Sequence, residues 1–436
     1  MTTGDARGGE VEPQPRESLW MRSQRGPQIL TVLAITNLIA YAVRNALFGV
    51  YPDLREKFHV SDQALGLLTT AFLVPHAIAT LPFGWAGDRY DRRRVIMFGL
   101  VIAAVAGAVC AFVTSMTQLA VTRAIVGFGT AAVVPVANSI LGQLYEGPRK
   151  ASRIALFNLG LLFGGLLGFG TGLGVGFPAV VLVLAVPTLL LGLGVLALPV
   201  PAHPAQHDTM PVTQYVLKLW KVFLVEGRAL LRIRTLRWLI VSATAMAFAA
   251  GGFNAWLLDF LQRDKDMSKG DATTVLSIAM IGAVAGIVVG GRVSDRLRQR
   301  YIAGRLWTIV IGMTLAIPCT IVCLEIAPGA ALIVAGTANF FFFSWYHAQI
   351  AATVDDLAPP AQAVAAQGLV IFMMHLIGTA SSSYVVGVVS DHTSLYMAMW
   401  VPTVALVVAA VTMMVATRSF AGDHLRARSP QGTRSR

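Results

Sequence analysis

Apolar residues in this chain run on for twenty or so positions at a time, and polar residues collect in short stretches between the runs. Twelve such runs fall near 29–50, 64–86, 94–114, 119–143, 153–173, 178–199, 238–260, 271–292, 306–326, 330–353, 363–389 and 395–417. Roughly twenty apolar residues, rising about 1.5 Å each, cross the hydrocarbon core of a bilayer. The pattern therefore predicts an all-α membrane protein with twelve transmembrane helices. A stretch of about forty residues between the sixth and seventh runs divides them into two six-helix bundles. The expected organisation is a tail (1–26), a first bundle (27–199), a linker (200–237), a second bundle (238–417) and a tail (418–436). From Gln214 to Arg237, Lys218, Lys221, Arg228 and Arg232 share one side of a helix, with Leu217, Trp220, Leu224 and Leu231 largely elsewhere. This reads as an interfacial helix at the inner leaflet, or as a solvated linker with chance periodicity.

Composition agrees: 56% of residues are hydrophobic and only 13% charged, whereas soluble chains carry about a quarter charged residues. The 34 Lys and Arg against 22 Asp and Glu give a net charge of +12. On a compact domain that excess would point to nucleic acid. Here 27 of the 34 basic residues fall on the face of the termini and 5 on the other, with Arg44 and Arg123 inside spans. The positive-inside rule then places both termini in the cytoplasm, and no nucleic-acid partner is expected. Cys110, Cys319 and Cys323 lie in apolar runs without metal-ligand spacing, so neither disulfide nor metal is expected. The polar start has no short apolar segment near Met1, which gives no support for a cleaved signal and favours a bacterial-type inner (plasma) membrane.

A short motif repeats. Gly84-Trp85-Ala86-Gly87-Asp88-Arg89 follows the second run, and Gly291-Arg292-Val293-Ser294-Asp295-Arg296 follows the eighth, 207 residues later. G-x-x-[G/S]-D-R at the same place in each half indicates an internal duplication. Glycine admits a neighbouring helix, and an aspartate at a helix end can face another helix N-terminus and nearby bases. Gly84, Asp88, Arg89, Arg92, Gly291, Asp295 and Arg296 are thus candidates for a conformational latch, against the alternative of charges that only set orientation.

This motif resembles that of the major facilitator superfamily, and the likeness covers nearly the whole chain. Within it the chain is similar to the Spinster group through Asn37 to Arg44, Gly87 to Arg92, Trp256 to Gln262, Ile371 to Gly378 and Val389-Ser390-Asp391. The resemblance implies two pseudo-symmetric six-helix bundles and transport of lysophospholipid or sphingolipid-type amphiphiles, with proton linkage. Val43, Thr130 and Thr379 stand where similar proteins carry acids, so the proton part of that expectation is weakened. The glycine-rich fifth run partly resembles the superfamily's antiporter motif, but Gly165 replaces the expected proline, and close helix packing explains it better.

Assigning all 22 carboxylates leaves none near the bilayer centre, which argues against a carboxylate proton relay. His76, His347 and His375 are candidates for proton coupling, each with the alternative of a helix-packing hydrogen bond. Arg44 lies about 22 Å along the first helix. Asn37, Tyr41, Arg44 and Phe48 share one stripe that should face a central cavity. Arg44 is expected to receive an anionic headgroup, or else to be satisfied by carbonyls, Asn138 or water. Asn37, Tyr41, Arg123, Asn138, Asn254 and Trp256 complete the candidate substrate-binding set, although Arg123 could snorkel outward.

No phosphate-cradling or H-E-x-x-H motif is present, so neither ATP-driven pumping nor an enzyme is expected. The expected protein is a cofactor-free, monomeric secondary or facilitative carrier whose partners are the lipid bilayer and an anionic or zwitterionic amphiphile such as a lysophospholipid. Its alternatives are an exporter or uptake carrier of a small organic metabolite or drug, and a non-transporting receptor or scaffold.

Overall fold

The computed structural model describes residues 25–145, 148–200, 211–358 and 362–428. The side chains of Asp88, His347, Lys218, Trp220 and Leu224 lie outside the described residues, and with them Asp88 of the latch, His347 as a proton-coupling site and the interfacial face of the linker helix.

Every described element is helical. Span 1 runs Gly26–Asn45, tightens through a 3-10 turn at Ala46–Val50 and continues as Tyr51–Phe58. Spans 2, 3, 4 and 5 are Asp62–Arg89, Arg92–Phe112, Met116–Leu144 and Pro148–Val175. Span 6 is Ala179–Val195, and a linker helix follows at Val212–Leu230. Spans 7, 8 and 9 are Arg234–Arg263, Lys269–Arg300 and Gly304–Glu325. Span 10 is broken into Ala330–Phe343, Ser344–Tyr346 and His347–Leu357. Span 11 is Ala363–Met373, a π turn at Met374–Thr379, and Ala380–His392. Span 12 follows as Leu395–Ala398 and Trp400–Arg428. Among the described residues ten of these helices are long and apolar enough to cross a membrane, and span 6 at 17 residues falls just short.

The starts of spans follow from their caps. Ser61, Ser115 and Ser268 each accept a hydrogen bond from a backbone N–H of the first turn, which satisfies a donor that has no partner inside the helix. Asp91 caps span 3 in the same way, and the Arg93 side chain folds back onto its carboxylate, holding its pKa below the ordinary range.

Small residues set how the helices meet. Gly164, Gly168 and Gly172 lay the backbone of span 5 on the carbonyls of Leu38, Ala42 and Ala46, where a Cβ would clash. Without a hydrophobic drive between helices in lipid, such close backbone contact supplies the attraction.

The face opposite the termini, which the charge distribution assigns to the outside, is called the outer face below. There one continuous apolar core takes in both halves: Val50, Tyr51, Leu54 and Leu65 pack with Trp256, Phe260, Leu276 and Val386. Toward the inner face the halves keep separate cores, one around Ile96, Val136 and Leu141, the other around Leu239, Ile309 and Leu406. The two bundles thus lean together at the outer end and part toward the inner end.

Candidate substrate cavity

Where the bundles part, a cavity of about 440 Å³ lies between them. The first half lines it with Tyr41, Arg44, Phe48, Phe72, Arg123 and Gly165; the second with Phe253, Asn254, Leu257, Met374, His375 and Thr379. Toward the inner face it passes Tyr346, Ile350 and Gln367, whose amide donates to the Ala351 carbonyl and to Asp355. The lining is mostly apolar, with charge concentrated on one side.

Arg44 carries that charge together with Arg123. The Arg44 guanidinium lies 5.6 Å from the Tyr41 ring centre, and among the described residues it has no hydrogen-bond or ion-pair partner. A guanidinium offers five donors in a fork suited to a carboxylate or phosphate. Removed from bulk water and without an acid beside it, it attracts an anion strongly.

Arg123 departs from the snorkelling expectation. It is buried, and its two terminal nitrogens donate to the carbonyls of Val43 and Arg44, both at 3.1 Å, while the guanidinium lies 4.7 Å from the Phe72 ring centre. A carbonyl within reach is a better partner than a distant interface. Its position is where span 1 leaves the α-helix for a 3-10 turn, so Arg123 takes up carbonyls at that change of winding.

Other candidates lie away from the cavity wall. Asn37 donates to the Phe157 carbonyl at 2.9 Å and so ties span 1 to span 5; the stripe expected to face the cavity reaches it only through Tyr41, Arg44 and Phe48. Asn138 does not line the cavity, and its buried side-chain oxygen has no partner among the described residues. Trp256 is fully buried, donates to the Ser383 carbonyl at 3.0 Å and packs on Tyr51, joining span 7 to span 11 and span 1. Asn254 lines the cavity and is exposed to it.

The two candidate histidines whose side chains are described differ. His76 stacks on Phe72, and its Nδ1 lies 3.1 Å from the Gly127 carbonyl and 3.2 Å from the Thr130 hydroxyl, a link between spans 2 and 4. His375 stands in the π turn of span 11, lines the cavity, and its buried Nδ1 has no partner among the described residues. Such turns recur at functional sites because they rotate a side chain out of helical register.

At the inner face Arg92 is buried, donating to the Gly87 carbonyl at 3.2 Å and to Gln143 at 2.5 Å, while Arg89 lies over the Trp85 ring. Asp295 and Arg296 are exposed, and among the described residues nothing approaches Gly84 or Gly291.

Sequence reading missed the outer closure. Asp62 and Asp259, both buried, share Arg55, and Arg263 donates to Asp62 at 2.8 Å. Asp62 gathers Arg55 of span 1, Arg263 of span 7 and Ser390 of span 11, three helices far apart in the chain that no motif in the sequence brings together.

The sequence matches the Major Facilitator Superfamily over residues 33–303 and 258–434. It is 28% identical over 418 residues to Protein spinster homolog 3 of Danio rerio, covering 88% of this chain and 81% of that protein. It is 25% identical to the Sphingosine-1-phosphate transporter SPNS2 of Danio rerio, covering 83% and 75%. In fold it is similar to a bacterial homolog of the human lysosomal transporter Spinster solved in an inward-facing, unoccupied conformation, with TM-score 0.78, 19% identity and coverage of 92% and 98%. The nucleoside transporter NupG shares the fold at TM-score 0.68 and 15% identity, covering 91% and 98%. Twelve helical spans in two bundles, a cavity between them and the family match along the chain place this protein in the major facilitator superfamily, as a Spinster-like multi-pass membrane transporter and not an enzyme.

Proposed function

We propose that this transporter moves an anionic or zwitterionic amphiphile, such as a lysophospholipid, by alternating access, with Arg44 receiving the headgroup. The observation that carries this reading is an unpartnered guanidinium on the wall of a largely apolar cavity. The two surfaces match the two ends of such a molecule: Arg44 takes the phosphate or carboxylate, and Phe48, Phe72, Phe253 and Leu257 take the chain. The similarity to a sphingosine-1-phosphate transporter is in keeping with such a cargo. In this proposal the termini and the linker helix lie at the cytoplasmic side of an inner (plasma) membrane, the protein acts as a monomer, and the structure corresponds to its inward-open state.

Lysolipid flux into proteoliposomes tests the reading. Arg44→Gln should weaken apparent affinity by about tenfold or more, since a charge-assisted bidentate contact is lost. Flux unchanged by Arg44→Gln would sink the headgroup role. A second reading, a proton-linked carrier of a small organic solute with His375 as the proton site, is favoured by the free Nδ1 of His375. Flux that persists after the proton gradient is collapsed supports the first reading; flux of a polar solute that lysolipid does not compete, and that stops without the gradient, supports the second.

A further inference from the structure

The latch motif occurs a third time. Gly387-Val388-Val389-Ser390-Asp391 ends span 11, 96 residues after Gly291-Arg292-Val293-Ser294-Asp295 ends span 8. Each half of this fold is itself built of inverted three-span repeats, so the end of span 11 is the inverted counterpart of the end of span 8 and lies on the opposite face. The residue after the motif changes in the way that face requires. Inner copies carry Arg89 and Arg296; the outer copy carries His392.

This third copy is engaged. The Asp391 carboxylate accepts from the backbone N–H of Asp62 at 2.9 Å and of Gln63 at 2.8 Å, the first two helical residues of span 2. Those N–H groups have no partner within their own helix, and the helix dipole favours an anion there. Ser390 donates to the Asp62 carboxylate at 2.6 Å, the same group that holds Arg55 and Arg263. Gly387 lets the Asp62 carbonyl approach, and Gly66 opposite does the same for the Ser383 carbonyl; a Cβ at either would overlap the facing backbone. Gln63 and Tyr384 add a side-chain hydrogen bond of 2.9 Å between the same two spans. At the inner end the second-half copy is released. Gly291 faces nothing within 4 Å, and Asp295 is exposed without a partner among the described residues.

We infer that Gly387 to Asp391 is an outer latch, an inverted copy of the inner motif, which closes the outer face by clamping span 11 onto the N-terminus of span 2. Its glycine sets the approach, its serine holds the Asp62 side chain and its aspartate holds the Asp62 and Gln63 backbone. The inner and outer copies then work in opposition: whichever is engaged closes its own face. This rests on alternating access and on no particular cargo.

The test reads accessibility and needs no substrate. In a background with Cys110, Cys319 and Cys323 replaced by Ser, Asn254→Cys places a thiol in the cavity, and oriented proteoliposomes are treated with a membrane-impermeant maleimide from either side. Asp391→Ala should raise labelling from the outer side by on the order of tenfold, the scale of a lost helix cap. Ser390→Ala, a milder change suited to the case that Asp391→Ala does not fold, should raise it less. Asp295→Ala should act in the opposite sense and lower outer labelling. Outer labelling of Asp391→Ala, or failing that of Ser390→Ala, equal to the parent would overturn the proposal. So would an Asp295→Ala variant that shifts labelling in the same direction.

Discussion

Arg123 and Arg44 differ in what surrounds their guanidinium groups. Arg123 donates twice to span 1, so removing it strands the Val43 and Arg44 carbonyls in a buried setting. An unmade buried hydrogen bond costs about 1–3 kcal/mol, so Arg123→Ala should lower the melting temperature of the purified protein in a thermal-shift assay. Arg44 has no such partners, and its charge is held where charge is costly. Arg44→Leu should therefore leave the melting temperature unchanged or raise it while abolishing transport, the signature of a residue kept for function at the expense of stability. Both arginines were visible in the sequence as charges inside spans. Only the packing showed that one is satisfied by the backbone of the helix that carries the other.

At the scale of the element, the seam between spans 1 and 5 turns on which glycines face it. Gly168 lies against the Ala42 carbonyl, whereas a Cβ at Gly170 or Gly174 would meet open space. Gly168→Val should force the helices apart, with an overpacking cost of about 1–3 kcal/mol or outright failure to fold, read as loss of a monodisperse peak on size exclusion. Gly170→Ala should be tolerated. The spans themselves were legible in the sequence because a run of some twenty apolar residues has one stable form in a bilayer. The breaks were not: the 3-10 turn at Ala46–Val50, the interruption of span 10 and the π turn at His375 leave the apolar run intact and depend on contacts between helices.

At the scale of the whole molecule, orientation and conformation are separate properties. Orientation follows from the distribution of Lys and Arg, and it predicts that a reporter inserted after Asp266 is exposed outside while one inserted after Arg300 is cytoplasmic, as paired alkaline phosphatase and fluorescent fusions would read. Conformation follows from which contacts are made. The polar links between the halves cluster at the outer face, around Asp62, Asp259 and Asp391. Raising ionic strength should weaken the partly exposed Arg263 and Arg55 pairs and shift the protein modestly toward an outward-accessible form, measured by the same labelling of Asn254→Cys.

The sequence by itself determined the class of molecule, the recurrence of one motif in each half and the isolation of Arg44 from any acid in its own apolar run. Each of these is written in one dimension, as the length of a run, a repeated motif or a missing residue type. The tertiary structure decided which candidates share the cavity, that Asn37, His76 and Trp256 instead join helices, and that Asp391 meets the start of span 2 across 329 residues of chain. A bilayer specifies that a segment must be a helix, because no other open chain satisfies its backbone there. Which helix ends meet is set by glycines and charges that acquire meaning only when brought face to face.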